Sequence, residues 1–392
     1  MEGPLFGYRI LDLSAVLSGP LATMWLGDQG AEVIKVEPFQ GDIVRYMGGG
    51  TEGITPTFLS ANRGKKAIAI DLKKESGVAL IKKLVKDFDV VVQNFRPGAI
   101  ERMGLGYEII REINPGIVYC SISGFGDIGP YTHKRVYDPV IQSLSGLADI
   151  QRDRDTGRPK MIRTVIPDKT TAMTAAQAIT AALLARERTG KGQHIKLAMI
   201  DAMISLTWAE GMAGYTVIGY EDKVPPQLAP DLIYQTTDGY ITAGAVSDAE
   251  WEGMCKALDR EEWLQDDRFN TPAGRVRNNT ARLRMTAEVI ATKPTEHWLK
   301  VLDENHVPSA PVLSRKEVLS HEQILANNLI EEMDQPGLGK VRQARPAAQF
   351  SDTPARIQGV APKLGEQSRE ILNQFGISDD DIDELFEKDV VR

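Results

Sequence analysis

The chain has 392 residues, 42% hydrophobic and 26% charged, the composition of a soluble globular protein long enough for two domains. Its net charge of −8 argues against nucleic acid as the main partner, because phosphate binding leans on Lys and Arg, but leaves room for a basic patch that takes a small anion. Cys120 and Cys255 are too few for a disulfide framework, no signal peptide or membrane-length apolar run stands out, and the five histidines lack ligand spacing, so a cytoplasmic protein with no membrane or metal partner is expected.

In chain order, strands are expected at Arg9–Leu13, Glu32–Val36, Ala67–Leu72, Asp89–Gln93 and Ile117–Ile122, with helices at Pro20–Gln29 and Gly77–Lys86. Apolar, β-branched strands separated by helices imply a parallel sheet buried on both faces. Ligands bind such sheets at the carboxyl ends of the strands. The residues just past those ends are Ser14–Leu17, Glu37, Lys73, Asn94–Arg96 and Ser123–Gly126.

Two features imitate a dinucleotide site. Gly124-Phe125-Gly126-Asp127-Ile128-Gly129 has the glycine spacing of the fingerprint, but Pro130 follows and no helix opens there to receive a phosphate. Glu37 resembles a ribose-binding acid, yet the turn after the first strand carries only Gly19. No Gly-Lys pair is followed by Ser or Thr, so there is no Walker A loop. An NAD-linked oxidoreductase is disfavoured.

Further on, Met161–Ile166 reads as a short buried strand and Ala172–Arg186 as an alanine-rich helix. Asp168 then stands at the turn between them, where free backbone N–H groups and the helix dipole favour its ionised form. A fixed, ionised carboxylate suits covalent catalysis, although an ordinary N-cap explains the same pattern. After Gly192, Ile195–Tyr215 reads as a strand and a helix leading away from the sheet. Tyr220–Pro230 is proline-containing and polar, and residues 201–225 are taken as the linker. Leu232–Thr236, Gly239–Ala245, Trp251–Leu258 and Trp298–Leu302 suggest a smaller α/β domain over residues 226–328. Asp379–Asp383 after Ser378 reads as a helix start.

Several ordered segments carry a wider likeness. They include Leu11-Asp12-Leu13-Ser14, Gly19-Pro20-Leu21-Ala22-Thr23, Gly30-Ala31-Glu32-Val33-Ile34-Lys35-Val36-Glu37 and Asn62-Arg63-Gly64-Lys65-Lys66. Asn94-Phe95-Arg96-Pro97-Gly98, Met103-Gly104-Leu105-Gly106-Tyr107, Ser121-Ile122-Ser123-Gly124-Phe125-Gly126 and Thr189-Gly190-Lys191-Gly192-Gln193 continue it. Pro308-Ser309-Ala310-Pro311-Val312 and Pro362-Lys363-Leu364-Gly365-Glu366 close it. In this order the chain resembles the family III CoA-transferases of the CaiB/BaiF type.

The resemblance implies a Rossmann-like large domain built from both chain ends, residues 1–200 and 329–392, plus the small domain. It also implies a homodimer whose subunits interlock like links of a chain. Coenzyme A and acyl-CoA are expected as substrates, with no tightly bound cofactor, and a small carboxylic acid as acceptor. Asp168 falls where the family's nucleophilic aspartate belongs. Asn94, Phe95, Arg96 and Arg102 match the segment lining the adenosine and phosphate part of CoA, and Leu72 and Lys73 the loop passing the adenine. Arg135 sits at a basic phosphate contact, Gly124 shapes the channel, and Val16 and Tyr137 complete the expected CoA-binding set.

Departures narrow the expected reaction. Formyl-CoA transferases have a glutamine where this chain has Leu17, and glycines near Ala243-Gly244-Ala245-Val246, so an acyl group larger than formyl is expected, with succinyl-CoA or acetyl-CoA as donor. An arginine found in some members is Pro38 here. The α-methylacyl-CoA racemases of the same fold place a histidine base at Tyr137. Tyrosine ionises near 10 and is a poor base at neutral pH, which favours a transferase.

Overall fold

Six short aliphatic runs pair into one parallel sheet. The computed structural model describes residues 2–50, 53–153, 155–219 and 231–392. The chain divides into two compact units, Met1–Pro225 with Leu329–Arg392, and Pro226–Asn328.

In the larger unit the elements run β1 (Arg9–Asp12), α1 (Ser18–Asp28), β2 (Glu32–Glu37), α2 (Pro56–Asn62), β3 (Lys66–Ala69), α3 (Glu75–Leu84) and β4 (Val90–Gln93). Next come α4 (Ala99–Arg102), α5 (Tyr107–Ile113), β5 (Val118–Ser123), α6 (Asp138–Leu144), α7 (Leu147–Ile150), α8 (Ile166–Thr189), β6 (Gln193–Ala198) and α9 (Met199–Trp208). The sheet order is β3-β2-β1-β4-β5-β6, with every pairing parallel. Ile10 on β1 lies between Val33 and Val90, so the order reverses between β1 and β4. A crevice opens outside the strand ends at such a reversal.

Strand residues alternate between two cores, as the period of two requires. Leu11, Ile34, Val91 and Tyr119 face one core, and Ile10, Val33, Val92 and Cys120 the other. Alanines Ala172, Ala175 and Ala182 of α8 lie in the second core with Leu21, Ala22 and Leu26 of α1, where small side chains let a helix lie close to its neighbours. Burial pushes the Cys120 thiol up to about 12, which leaves it unreactive.

The expected strand at Met161–Ile166 is not one. Residues 161–165 are irregular and Ile166 already belongs to α8. Among the described residues no strand pairs with this segment. Instead Gln142 of α6 accepts from the Ile162 N–H at 3.0 Å and donates to the Ile162 and Thr164 carbonyls at 3.2 and 3.4 Å. One amide side chain thus satisfies the backbone groups that a sheet neighbour would take. Within the expected linker over 201–225, residues 201–208 are helical in α9. Residues Tyr220–Pro230, read as linker, lie outside the described residues.

The smaller unit holds β7 (Ile233–Gln235), β8 (Tyr240–Ala243), α10 (Asp248–Ala257), α11 (Pro272–Arg277), α12 (Asn279–Ile290), α13 (Thr295–Glu304), β9 (Ser309–Pro311) and α14 (Glu322–Ala326). Its antiparallel sheet, β7-β8-β9, packs with Trp251, Trp263, Phe269 and Trp298. Ser247 and Glu250 form a capping box that starts α10.

The chain then returns to the larger unit as the hairpin β10 (Ile330–Gln335) and β11 (Gly339–Ala344), followed by α15 (Ser368–Gln374) and α16 (Asp379–Glu387). Ser378 caps α16 as its sequence implies. Ile371, Leu372, Ile382 and Val391 enter the first core, so both chain ends build this unit. Among the described residues no helix is long and apolar enough to cross a membrane.

Candidate active site

The loops after β1, β4 and β5 meet at the sheet reversal, and the start of α8 closes the space between them. They enclose a cavity of about 310 Å³ lined by Val16, Ser18, Asn94, Phe95, Arg96, Gly124, Arg135, Tyr137, Asp138 and Asp168, among others. A second cavity, about 400 Å³, is lined by Leu72, Lys73, Phe39 and Met103, and shares Phe95 with the first. Phe95 is therefore a wall common to both. Nine of the ten residues expected to contact CoA line one cavity or the other. The tenth, Arg102, ends α4 on the surface and lines neither.

Local packing explains how these side chains are presented. Asn94 brackets Ala15, accepting from its N–H at 2.9 Å and donating to its carbonyl at 2.7 Å, which ties the β1 loop to the β4 loop. The Phe95 N–H donates to Gln93 Oε1 at 2.8 Å, and Gln93 Nε2 donates to Ser121 Oγ at 2.8 Å. Ser121 Oγ lies 2.8 Å from His194 Nε2. This side-chain chain runs from β6 through β5 to β4 and fixes the loop bearing Phe95 and Arg96. Gly124 has a steric cause: a Cβ there would come within 2.5 Å of Val136 Cγ1, displacing the segment that carries Lys134, Arg135 and Tyr137.

Asp168 is the third residue of α8, in its first turn; the N-cap position belongs to Val165. Pro167 fits this start because the first helical N–H groups need no intrahelical acceptor. The Asp168 N–H donates to Asp138 Oδ2 at 3.3 Å, while Asp138 Oδ1 accepts from Gln142 Nε2 at 2.7 Å. Asp138 is 3% exposed.

The helix start does not dominate the electrostatics of Asp168, contrary to the sequence expectation. Burial, then the charge of Asp138, pushes its carboxyl up to about 6, while hydrogen bonds from the Ser18 backbone and hydroxyl pull it down. The group is still mostly ionised at neutral pH, and it is more basic than a free aspartate.

The sequence reading missed Ser18, Lys134 and Met199, all of which line the first cavity, while Phe125 falls within the expected Ser123–Gly126 loop. Ser18 had a signal, since Ser-Gly-Pro opens α1. Lys134 has the Tyr131 ring 3.4 Å from its Nζ, and adds a third cation beside Arg96 and Arg135. The cavities together offer an apolar end, a cationic middle and a partly buried carboxylate, an arrangement suited to a long phosphorylated ligand.

The sequence model of CoA-transferase family III matches residues 5–368. The chain belongs to that family. Among the relatives of this CoA-transferase, succinyl-CoA:glutarate CoA-transferase of Mus musculus is 38% identical over 95% of this chain and 86% of its own length. Acetyl-CoA:oxalate CoA-transferase of Acetobacter aceti is 32% identical over 95% of this chain and 96% of its own length. Among solved structures, a CaiB/BaiF family protein from Brucella suis superposes with a TM-score of 0.83 at 32% identity, covering 96% of this chain and all of that one.

Proposed function

We propose that this enzyme moves CoA from an acyl-CoA to a free carboxylate through covalent intermediates on Asp168. The observation that carries the reading is Asp168 itself: an inward-facing carboxylate, held near a pKa of about 6, in a cavity ringed by Arg96, Lys134 and Arg135. An oxygen of Asp168 attacks the thioester carbonyl carbon; the C–O bond forms, the C–S bond breaks, and CoA leaves as thiolate. The thiolate then attacks the aspartyl carbonyl of the mixed anhydride, releasing the donor's acid and leaving an aspartyl-CoA thioester. The acceptor carboxylate repeats these two steps in reverse, forming a new anhydride and then the new acyl-CoA. Every step exchanges one activated acyl bond for another and needs no net proton. Water has to be kept out, because anhydride hydrolysis would dissipate the activation.

Within this scheme Arg96, Lys134 and Arg135 hold the phosphates, and the cavity beyond Phe95, with Leu72 and Lys73, takes the adenine end. We take succinyl-CoA as donor and a dicarboxylate such as glutarate as acceptor, supported by the names of the relatives and by Leu17, which removes a polar contact suited to formyl. A racemase remains the competing activity of this fold. Tyr137 is 70% exposed and stands where the racemases have their histidine base, which speaks against it. We also infer a dimer, supported by the exposed Met173 and Leu184 of α8, which line an open groove with Trp25 and Phe350.

The test is a panel of acyl-CoAs and organic acids, read by chromatography of the CoA products. CoA exchange only in the presence of both partners supports the proposal. Solvent deuterium entering a 2-methylacyl-CoA without any acceptor would replace it with the racemase.

A further inference from the structure

The turn that carries the chain from β1 to Ser18 is strained, and the residue holding it has no free atom for substrate. Val16 has a φ of 70°, the left-handed region that a β-branched side chain rarely adopts. Its N–H donates to both carboxylate oxygens of Asp42, each at 3.1 Å. Asp42 is 3% exposed, and its remaining capacity is taken by the Val44 N–H at 3.2 Å and by Lys35 Nζ at 3.1 Å. Lys35 is fully buried and donates again to the Ser14 carbonyl at 2.9 Å. The Ser14 N–H goes to Asp12 at 3.0 Å, and Asn94 brackets Ala15. All three N–H groups from Ser14 to Val16 therefore end on side chains of other segments or of β1. Such over-determination is what maintains an unfavourable backbone conformation. Two residues after Val16 stands Ser18, which lines the same cavity as Val16 and Asp168, and whose N–H and hydroxyl pull the Asp168 carboxyl down.

We propose that Asp42, with Lys35 behind it, is a positioning residue for the transfer: it pins Val16 in the left-handed turn and so sets the Ser18 donors against Asp168. The inference rests on Asp168 as the reacting carboxylate. A purely structural ion pair would stabilise the fold without affecting Asp168, and the two roles separate experimentally.

The test uses the full chain with Asp42→Asn, Asp42→Glu and the double variant Asp42→Asn/Val16→Gly. Three quantities are read: kcat and KM for acyl-CoA, the melting temperature, and the pH midpoint for carbodiimide labelling of Asp168 followed by peptide mass spectrometry. Asp42→Asn is expected to lower kcat by about tenfold or more with KM little changed, and to raise the labelling midpoint as the Ser18 donors withdraw. Glycine adopts the turn without strain, so the double variant should regain a large part of the lost kcat. Asp42→Glu keeps the charge beside Lys35 but shifts the acceptor, and should show the same kcat loss in a folded protein even if Asp42→Asn fails to fold. Variants that melt lower while kcat per folded enzyme and the labelling midpoint stay at wild-type values overturn the proposal. The labelling midpoint needs no turnover, so it reads the link between Asp42 and Asp168 even if no acyl-CoA and acid pair reacts, an outcome that would sink the transferase reading alone.

Discussion

Asp168→Asn should separate catalysis from stability. The carboxyl ordinarily ionises near 3.8 and is pushed up to about 6 by burial and by Asp138. A gap of roughly two units corresponds to about 3 kcal/mol that the folded state loses when the group ionises. The unfolded chain releases this proton above pH 3.8, whereas the folded protein holds it until about 6. Stability of the wild type therefore falls as pH rises between those values and is fully reduced above them. Asparagine has no such charge. The variant should melt higher than wild type near neutral and alkaline pH, by up to about 3 kcal/mol, with the difference shrinking as pH falls and vanishing below the ordinary carboxyl pKa. Its turnover should be lost, the pattern of an active site that trades stability for function. Denaturant melts of both proteins across pH, paired with turnover assays, check both halves. An asparagine variant that is less stable at about pH 8, or that retains turnover, refutes the reasoning.

Other expectations follow from the same contacts. In the wild type, kcat/KM should rise about tenfold per pH unit below about 6 and level off above it, because only the carboxylate attacks. Asp138→Asn removes the adjacent charge and should move that limb to lower pH; an unmoved limb would assign the shift to burial alone. Arg96→Ala should raise KM for acyl-CoA with little change in kcat, since a phosphate contact away from the reacting carbon binds ground and transition states alike. Arg63→Met leaves Asp28 buried without its partner at 2.7 Å and frees Gln343 and the Ala344 carbonyl of β11, so denaturant melts should show a loss of about 3–5 kcal/mol with the active-site pH profile unchanged.

Much of the large unit was legible because strands of a parallel sheet buried on both faces are continuous apolar runs, whatever their neighbours. β1, β2, β4 and β5 lie within a residue or so of their expected spans, and the loops past them line the cavities. Met161–Ile166 has the same composition, but composition does not reveal whether a partner strand exists, and here Gln142 takes that place. The electrostatics of Asp168 were misjudged for a similar reason. Helix-start donors are visible locally, whereas Asp138 is thirty residues away and burial is a property of the assembled unit. Lys35 offered a signal that went unused: a cation inside Val33-Ile34-Lys35-Val36, a strand buried on both faces, has to find an acid, and Asp42 is that acid.

The most direct measurement of the covalent account follows the oxygen atoms. If the acceptor carboxylate attacks an aspartyl-CoA thioester and CoA then attacks the acceptor's own carbonyl, one acceptor oxygen stays on Asp168. Turnover with an acceptor acid carrying heavy-isotope carboxylate oxygens, followed by mass spectrometry of the peptide containing Asp168, should show that peptide gaining heavy oxygen, with no gain when the donor acyl-CoA is omitted. Full turnover with an unlabelled Asp168 peptide would contradict the account and require direct exchange between the two substrates.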